Sequence, residues 1–274
     1  VQGGAQAGAG ACGGDGMSVR VAVVTGAGRG IGLAVVRALA AEGLRVVAGT
    51  RTVGGELEKL AADGAVLPVA VDLSTVDGPA RLTAAAVDAF GRIDLLVNNV
   101  GAVHPRPNGL LDIPDAAWVD TFNINFLAHV RAVRAALPHL YAAGSAAVIT
   151  IASVNAALAD PLVVDYSAAK AALVNFSKAM SKEAGPRGVR FNTVSPGPVA
   201  TDLWLGSGGV ADTLAKEQGV DPAKVAAGAA QQSVTGRFST PEEVAAMVVY
   251  LAGDLAANVT GSNFGIDGGL LNGL

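Results

Sequence analysis

The chain has 274 residues, 51% hydrophobic and 15% charged, which is enough apolar material for a large core and argues against disorder. A net charge of −4 without a Lys/Arg cluster gives no footprint for nucleic acid, and no apolar run approaches a bilayer span. The single cysteine, Cys12, has no partner within the chain, so no internal disulfide is expected and a cytoplasmic protein is the plain reading.

Residues 1–17 read as a flexible Gly/Ala-rich leader without the basic and apolar regions of a signal peptide. Residues 18–274 read as one domain, in which short β-branched runs alternate with longer Ala-rich stretches. Strands are predicted at 19–25, 44–50, 65–71, 93–98, 146–152, 189–194 and 262–266. Their apolar runs are nearly continuous rather than alternating, as in strands covered on both faces. Helices fill the intervals. The helix at 31–41 stops at Gly43, and the one at 241–252 takes Ser239 or Thr240 as its cap, with Glu242 and Glu243 in its first turn. Two longer helices are predicted at 115–143 and 164–185. Repeated β-α-β units imply a parallel sheet with helices on both faces. The Gly- and Ala-rich stretch 202–237 interrupts this alternation and is predicted as an irregular insertion, a candidate lid.

The first strand runs into Thr25-Gly26-Ala27-Gly28-Arg29-Gly30-Ile31-Gly32, which opens a helix. A helix N-terminus offers N–H groups and partial positive charge, which suit a pyrophosphate. Glycines permit the tight turn and the close backbone approach. The spacing is G-x-x-x-G-x-G rather than the commoner G-x-G-x-x-G, and a generic strand–helix turn is the bland alternative.

Tyr166 and Lys170 stand four residues apart in a predicted helix, so phenol and ammonium share a face. A free tyrosine has a pKa of about 10, and a neighbouring cation lowers it towards the range useful for proton transfer. Ser153 follows a predicted strand, where ligands bind in open α/β sheets; its hydroxyl is placed either to donate to a substrate oxygen or to cap the next segment.

Together these motifs resemble the short-chain dehydrogenase/reductase family, in its branch of about 250 residues. The turn at 25–32 matches the family's T-G-x-x-x-G-x-G, and Tyr166 and Lys170 match Y-x-x-x-K. Asn98-Asn99-Val100-Gly101 is similar to N-N-A-G, with Val100 in place of Ala. Ser195-Pro196-Gly197 and Asp267-Gly268-Gly269 are similar to its P-G and D-G-G segments. The resemblance covers about residues 18–270. It implies a single Rossmann-type, doubly wound α/β domain whose seven parallel strands run in the order 3-2-1-4-5-6-7.

The resemblance also implies roles. Tyr166 gives or removes the proton, Lys170 holds the nicotinamide ribose and lowers the phenol pKa, and Ser153 hydrogen-bonds the reacting oxygen. Asn125 holds a water that links Lys170 to solvent. Gly26, Gly30, Ile31 and Gly32 take the pyrophosphate, Asp72 and Leu73 flank the adenine, Asn99 and Gly101 the adjacent ribose region, and Gly197, Val199 and Thr201 the nicotinamide. Family members that use NAD usually carry Asp where this chain has Thr50. Arg51 follows, and Arg29 adds a second positive charge, so NADP is favoured over NAD. Val103, His104, Asn155, Leu162, Pro198 and Trp204 are candidates for a mostly apolar substrate pocket, suggesting a ketone or secondary alcohol with a hydrophobic body. His129 and His139 read as ordinary helix residues, and no cluster suggests a metal. A homotetramer or dimer is implied, paired through the two long helices. The alternatives are a catalytically silent nucleotide sensor, a lyase or dehalogenase on the same fold, and a structural partner protein.

Overall fold

The computed structural model describes residues 19–272, so the leader and Cys12 lie outside the described residues. Seven strands, β1 (Val21–Thr25), β2 (Arg45–Thr50), β3 (Val66–Ala70), β4 (Leu95–Asn98), β5 (Ala146–Ile151), β6 (Val189–Pro196) and β7 (Asn263–Ile266), form one sheet in the order β3-β2-β1-β4-β5-β6-β7. Every pairing is parallel, so the α/β class and strand order expected from the resemblance are those observed.

Alternate strand residues feed two cores, one on each face. Ala22 and Val24 of β1 pack with α1 (Gly30–Ala41) and α10 (Pro241–Ala252), through Val35, Leu39, Val248 and Leu251. Val23, between them, packs with α3 (Gly78–Phe90) and α5 (Ala128–Ala143), through Leu82, Ala86 and Ala136. This two-sided burial explains the near-continuous apolar runs. Each fully buried Leu or Val contributes about 1.5–3 kcal/mol. α2 (Gly55–Ala61) adds Leu57 to the first core, and α6 (Val164–Ala184) adds Phe176, Met180 and Ala184 to the second.

Thr240 forms a reciprocal capping box with Glu243 at the start of α10, which decides between the two predicted caps. Two predictions need correction. The helix expected at 115–143 is α4 (Asp115–Phe122) and α5 joined by a π turn at Asn123–Leu127, which shifts the helical phase at Asn125. The stretch 202–237 is not irregular: it holds α7 (Asp202–Leu205), α8 (Val210–Gln218) and α9 (Pro222–Gln231). Its Ala residues build the helices. Gly219, at φ 65°, ends α8, and Asp221 caps α9 ahead of Pro222.

β1 pairs with β2 on one side and β4 on the other, so the chain's connections part over opposite faces at that point. The crevice at the carboxyl ends of the strands, where such sheets bind ligands, opens there.

Candidate active site

A single cavity of about 1370 Å³ runs along these carboxyl ends. The glycine turn forms one end, with Gly26, Arg29, Gly30, Ile31 and Gly32 on its wall. Arg51, Asp72 and Leu73 line the same end, and Asn99, Gly101, Gly197, Val199 and Thr201 its middle. Asn125, Ser153, Tyr166 and Lys170 line the far end. Val103, His104, Asn155, Leu162, Pro198 and Trp204 complete that end, so every candidate read from the sequence reaches one cavity. Trp204 lines the cavity and meets Phe238 edge-on at 5.3 Å between ring centroids. Among the described residues, no group of three His, Cys, Asp or Glu gathers as a metal site requires. Nor, among them, is any helix long and apolar enough to cross a membrane.

The glycine turn is held by backbone contact. A Cβ on Gly32 would stand 2.2 Å from the Gly26 carbonyl oxygen, and one on Gly26 would stand 2.9 Å from the Cα of Val100. Gly26 and Gly30 have φ of 66° and 53°, the left-handed region that favours glycine. No side chain caps α1 at Arg29, which leaves its first-turn N–H groups for an anion in the cavity. Thr25 and Asn99 brace the turn from behind. The Thr25 hydroxyl accepts from the N–H of Asn99 and Val100 at 2.8 and 3.1 Å, and the Asn99 amide donates to the carbonyls of Thr25 and Gly26 at 3.0 Å each. The Asn99 side chain thus holds the turn.

At the far end, Ser153 both caps and faces the cavity. Its oxygen accepts from the Asn155 N–H at 3.2 Å and hydrogen-bonds the Tyr166 phenol. Burial pushes the phenol above its ordinary value of 10, against a smaller lowering from Ser153. The expected lowering by Lys170 is absent here. Lys170 donates to the Ile151 carbonyl at 3.0 Å and its Nζ lies 5.6 Å from the Tyr166 ring centroid. Burial alone brings Lys170 down to about 8. The Asn125 side chain, fully buried on the π turn, accepts from the Ala102 N–H at 3.1 Å and donates to the Ala102 and Thr121 carbonyls at 2.8 and 3.1 Å. Gly101 permits this approach, since a Cβ there would meet Asn125 Oδ1 at 2.9 Å.

His129 is more than the ordinary helix residue that its sequence position suggests. It is fully buried, with Nε2 2.6 Å from the Val100 carbonyl and Nδ1 without a partner. Burial, then the charge of Lys170, lowers its pKa to about 3, against a smaller raising by the Val100 hydrogen bond. The folded value lies below the unfolded one, near 6.5, so the unfolded chain binds the extra proton as pH falls below 6.5. Stability from neutral His129 is therefore complete above that pH and declines, by on the order of 4 kcal/mol in all, as pH drops to about 3. Urea unfolding of wild type and His129→Leu between pH 7 and 4 checks this: the variant should lose part of the acid slope, and equal slopes would refute the assignment.

Comparison with known proteins follows this geometry. Residues 26–271 match the family model described as Enoyl-(Acyl carrier protein) reductase. Short-chain reductase protein NovJ of Streptomyces niveus is 36% identical over 253 residues, 91% of this chain and 93% of that protein.

The chain belongs to the short-chain dehydrogenase/reductase family.

Short-chain dehydrogenases/reductases are NAD(P)-dependent oxidoreductases. One similar member is cis-4-hydroxycyclohexanecarboxylate dehydrogenase of Sinomonas cyclohexanicum, 35% identical over 93% of this chain and 98% of that protein. A crystal structure of L-sorbose reductase from Gluconobacter frateurii, complexed with NADPH and L-sorbose, superposes with a TM-score of 0.85 at 33% identity, covering 94% of this chain and 98% of that one. Val100, which stands where the family usually has Ala, packs at the edge of the second core, and its carbonyl is the partner of His129.

Proposed function

We propose that this short-chain dehydrogenase/reductase moves a hydride between a nicotinamide dinucleotide and a ketone or secondary alcohol carbon, with Tyr166 as the proton donor and acceptor. The observation that carries this is the shared cavity: the glycine turn stands at one end, and Asn125, Ser153, Tyr166 and Lys170 at the other. The turn fits a dinucleotide because Gly26 and Gly32 let it close tightly against Val100 and Asn99, and the α1 N-terminus opens onto the cavity. When bound, the dinucleotide supplies the hydride. The chain supplies position and the proton. Ser153 holds the reacting oxygen beside the phenol, and burial keeps that phenol protonated at neutral pH, the form that donates in reduction. Absorbance of reduced nicotinamide, followed with L-sorbose, cyclohexanone and cis-4-hydroxycyclohexanecarboxylate, tests the reading. Measurable NADPH binding with no turnover of any of the three would count against this substrate class. A homotetramer or dimer and a lid over residues 202–237 belong to the same proposal.

NADP is the favoured cofactor. Thr50 replaces an acidic residue at the end of β2, and its hydroxyl donates to the Thr52 carbonyl at 3.1 Å. Arg51 is exposed on the cavity wall with Arg29, where a guanidinium meets a 2′-phosphate. Asp72 does not take its place: its Oδ1 accepts from the hydroxyl and N–H of Ser74 at 2.7 and 2.9 Å. Arg51→Ala should weaken NADPH affinity about tenfold, the loss of one charge-assisted contact, and leave NADH affinity within twofold. Equal weakening of both would show that Arg51 does not read the phosphate.

A further inference from the structure

The residue before Tyr166 is a buried carboxylate. Asp165 lies in the first turn of α6 with a side chain only 1% exposed. A carboxylate so buried is costly unless its oxygens are taken up. Here they are. Oδ2 accepts from Arg106 Nε and Nη2 at 3.1 and 2.6 Å and from the Thr121 hydroxyl at 2.8 Å. Oδ1 accepts from the N–H of Tyr166 itself at 2.9 Å. The Arg106 N–H donates to the Leu162 carbonyl at 2.6 Å, one turn ahead of α6. Arg106 belongs to the segment after β4 and lines the cavity, while Thr121 sits at the end of α4. Two separate elements therefore converge on the turn that bears the phenol.

First turns of helices fray, and no side chain caps α6 at Val163. A phenol carried there is only as well placed as the turn beneath it. Proton transfer tolerates little misplacement, and errors of about 1 Å cost about a hundredfold. We propose that Arg106, acting through Asp165, is a positioning residue for Tyr166, fixing the first turn of its helix from the substrate side of the cavity. The two Arg106 N–H bonds to Oδ2 also tie the wall that would touch substrate to the turn that would deliver the proton. This rests on the reading of Tyr166 as the proton donor.

The test compares Arg106→Met, Asp165→Asn, their double variant and Arg106→Lys in the full chain, with Tyr166→Phe as reference. Turnover is measured with NADPH and whichever ketone of L-sorbose and cyclohexanone is reduced faster. NADPH affinity is measured by fluorescence, and the tyrosine ζ-carbons are followed by 13C NMR, with the Tyr166 signal assigned by its loss in Tyr166→Phe. Arg106→Met and Asp165→Asn should each lower kcat about 10- to 100-fold, with NADPH affinity within twofold of wild type. The double variant should be no worse than either single one, because both break one network. Arg106→Lys should recover part of kcat. In Arg106→Met the Tyr166 signal should shift or broaden. A kcat within twofold of wild type in Arg106→Met, beside an inactive Tyr166→Phe, overturns the positioning role, and so do additive losses. An active Tyr166→Phe defeats the proton-donor reading instead; the 13C signal then decides whether Arg106 fixes the ring, and an unshifted signal overturns that too. Should Arg106→Met fail to fold, Arg106→Lys and Thr121→Val carry the same comparisons.

Discussion

Tyr166→Phe is expected to lower kcat by about a thousandfold or more while leaving the fold and NADPH affinity intact. The phenol oxygen is the group removed, and its hydrogen-bond partner in the structure is the Ser153 hydroxyl. The ring stays, and Ser153 keeps its contacts to Asn155, so the surroundings lose little packing. Lys170 is held by the Ile151 carbonyl, independently of the phenol. The variant separates chemistry from binding: kcat falls and the dinucleotide dissociation constant does not. A variant that turned over within tenfold of wild type would place the proton donor elsewhere, and Ser153 or a water would then have to serve.

Gly32→Ala should act at the opposite end of the cavity and by a different route. Its Cβ would stand 2.2 Å from the Gly26 carbonyl oxygen and 2.6 Å from the Asn99 amide nitrogen. Neither is the free end of a flexible side chain, since the Asn99 amide is committed to Thr25 and Gly26. The turn must open to admit the methyl, at a cost of about 3 kcal/mol in stability, and the N–H groups at the α1 N-terminus lose their alignment. NADPH affinity should fall about tenfold or more, with a lower Tm. Gly55→Ala, in α2, is the control. Nothing lies within 4 Å of its Cβ, so stability should change by about 0.5 kcal/mol or less and affinity not at all. Unchanged NADPH binding in Gly32→Ala would mean that the dinucleotide does not lie on this turn.

The parts of the molecule that could be read from the sequence were those whose cause is local. A run such as Val21–Thr25 declares a doubly covered strand because each residue needs an apolar neighbour on its own face. Tyr166 and Lys170 declare a shared face through spacing within one helix. Reading failed where the partner is distant. Asp165 looks like any helix-leading carboxylate until Arg106 and Thr121, from separate elements, are seen to close on it. His129 reads as an ordinary helix residue because its partner, the Val100 carbonyl, comes from a distant segment. The three helices of 202–237 are hard to read because glycines punctuate the stretch, and in the fold Gly206 and Gly219 end α7 and α8. Asn99 lines the cavity, but the commitment of its amide to the turn behind it is visible only in the fold.

The place of β1 in the sheet bears on how the chain is made. Of the seven strands of this sheet it leaves the ribosome first, yet it lies inside the sheet, paired with β2 on one edge and β4 on the other. The β2 edge closes early, because β2 follows after a single helix. The β4 edge must wait until β2, β3 and the helices between them have been synthesised, with Ala22, Val23 and Val24 still offering open backbone on that side. Long-range parallel pairings of this kind form slowly, and an open apolar strand edge is the template on which chains aggregate. In the nascent protein, the strand that ends in the glycine turn is therefore also the segment most in need of protection.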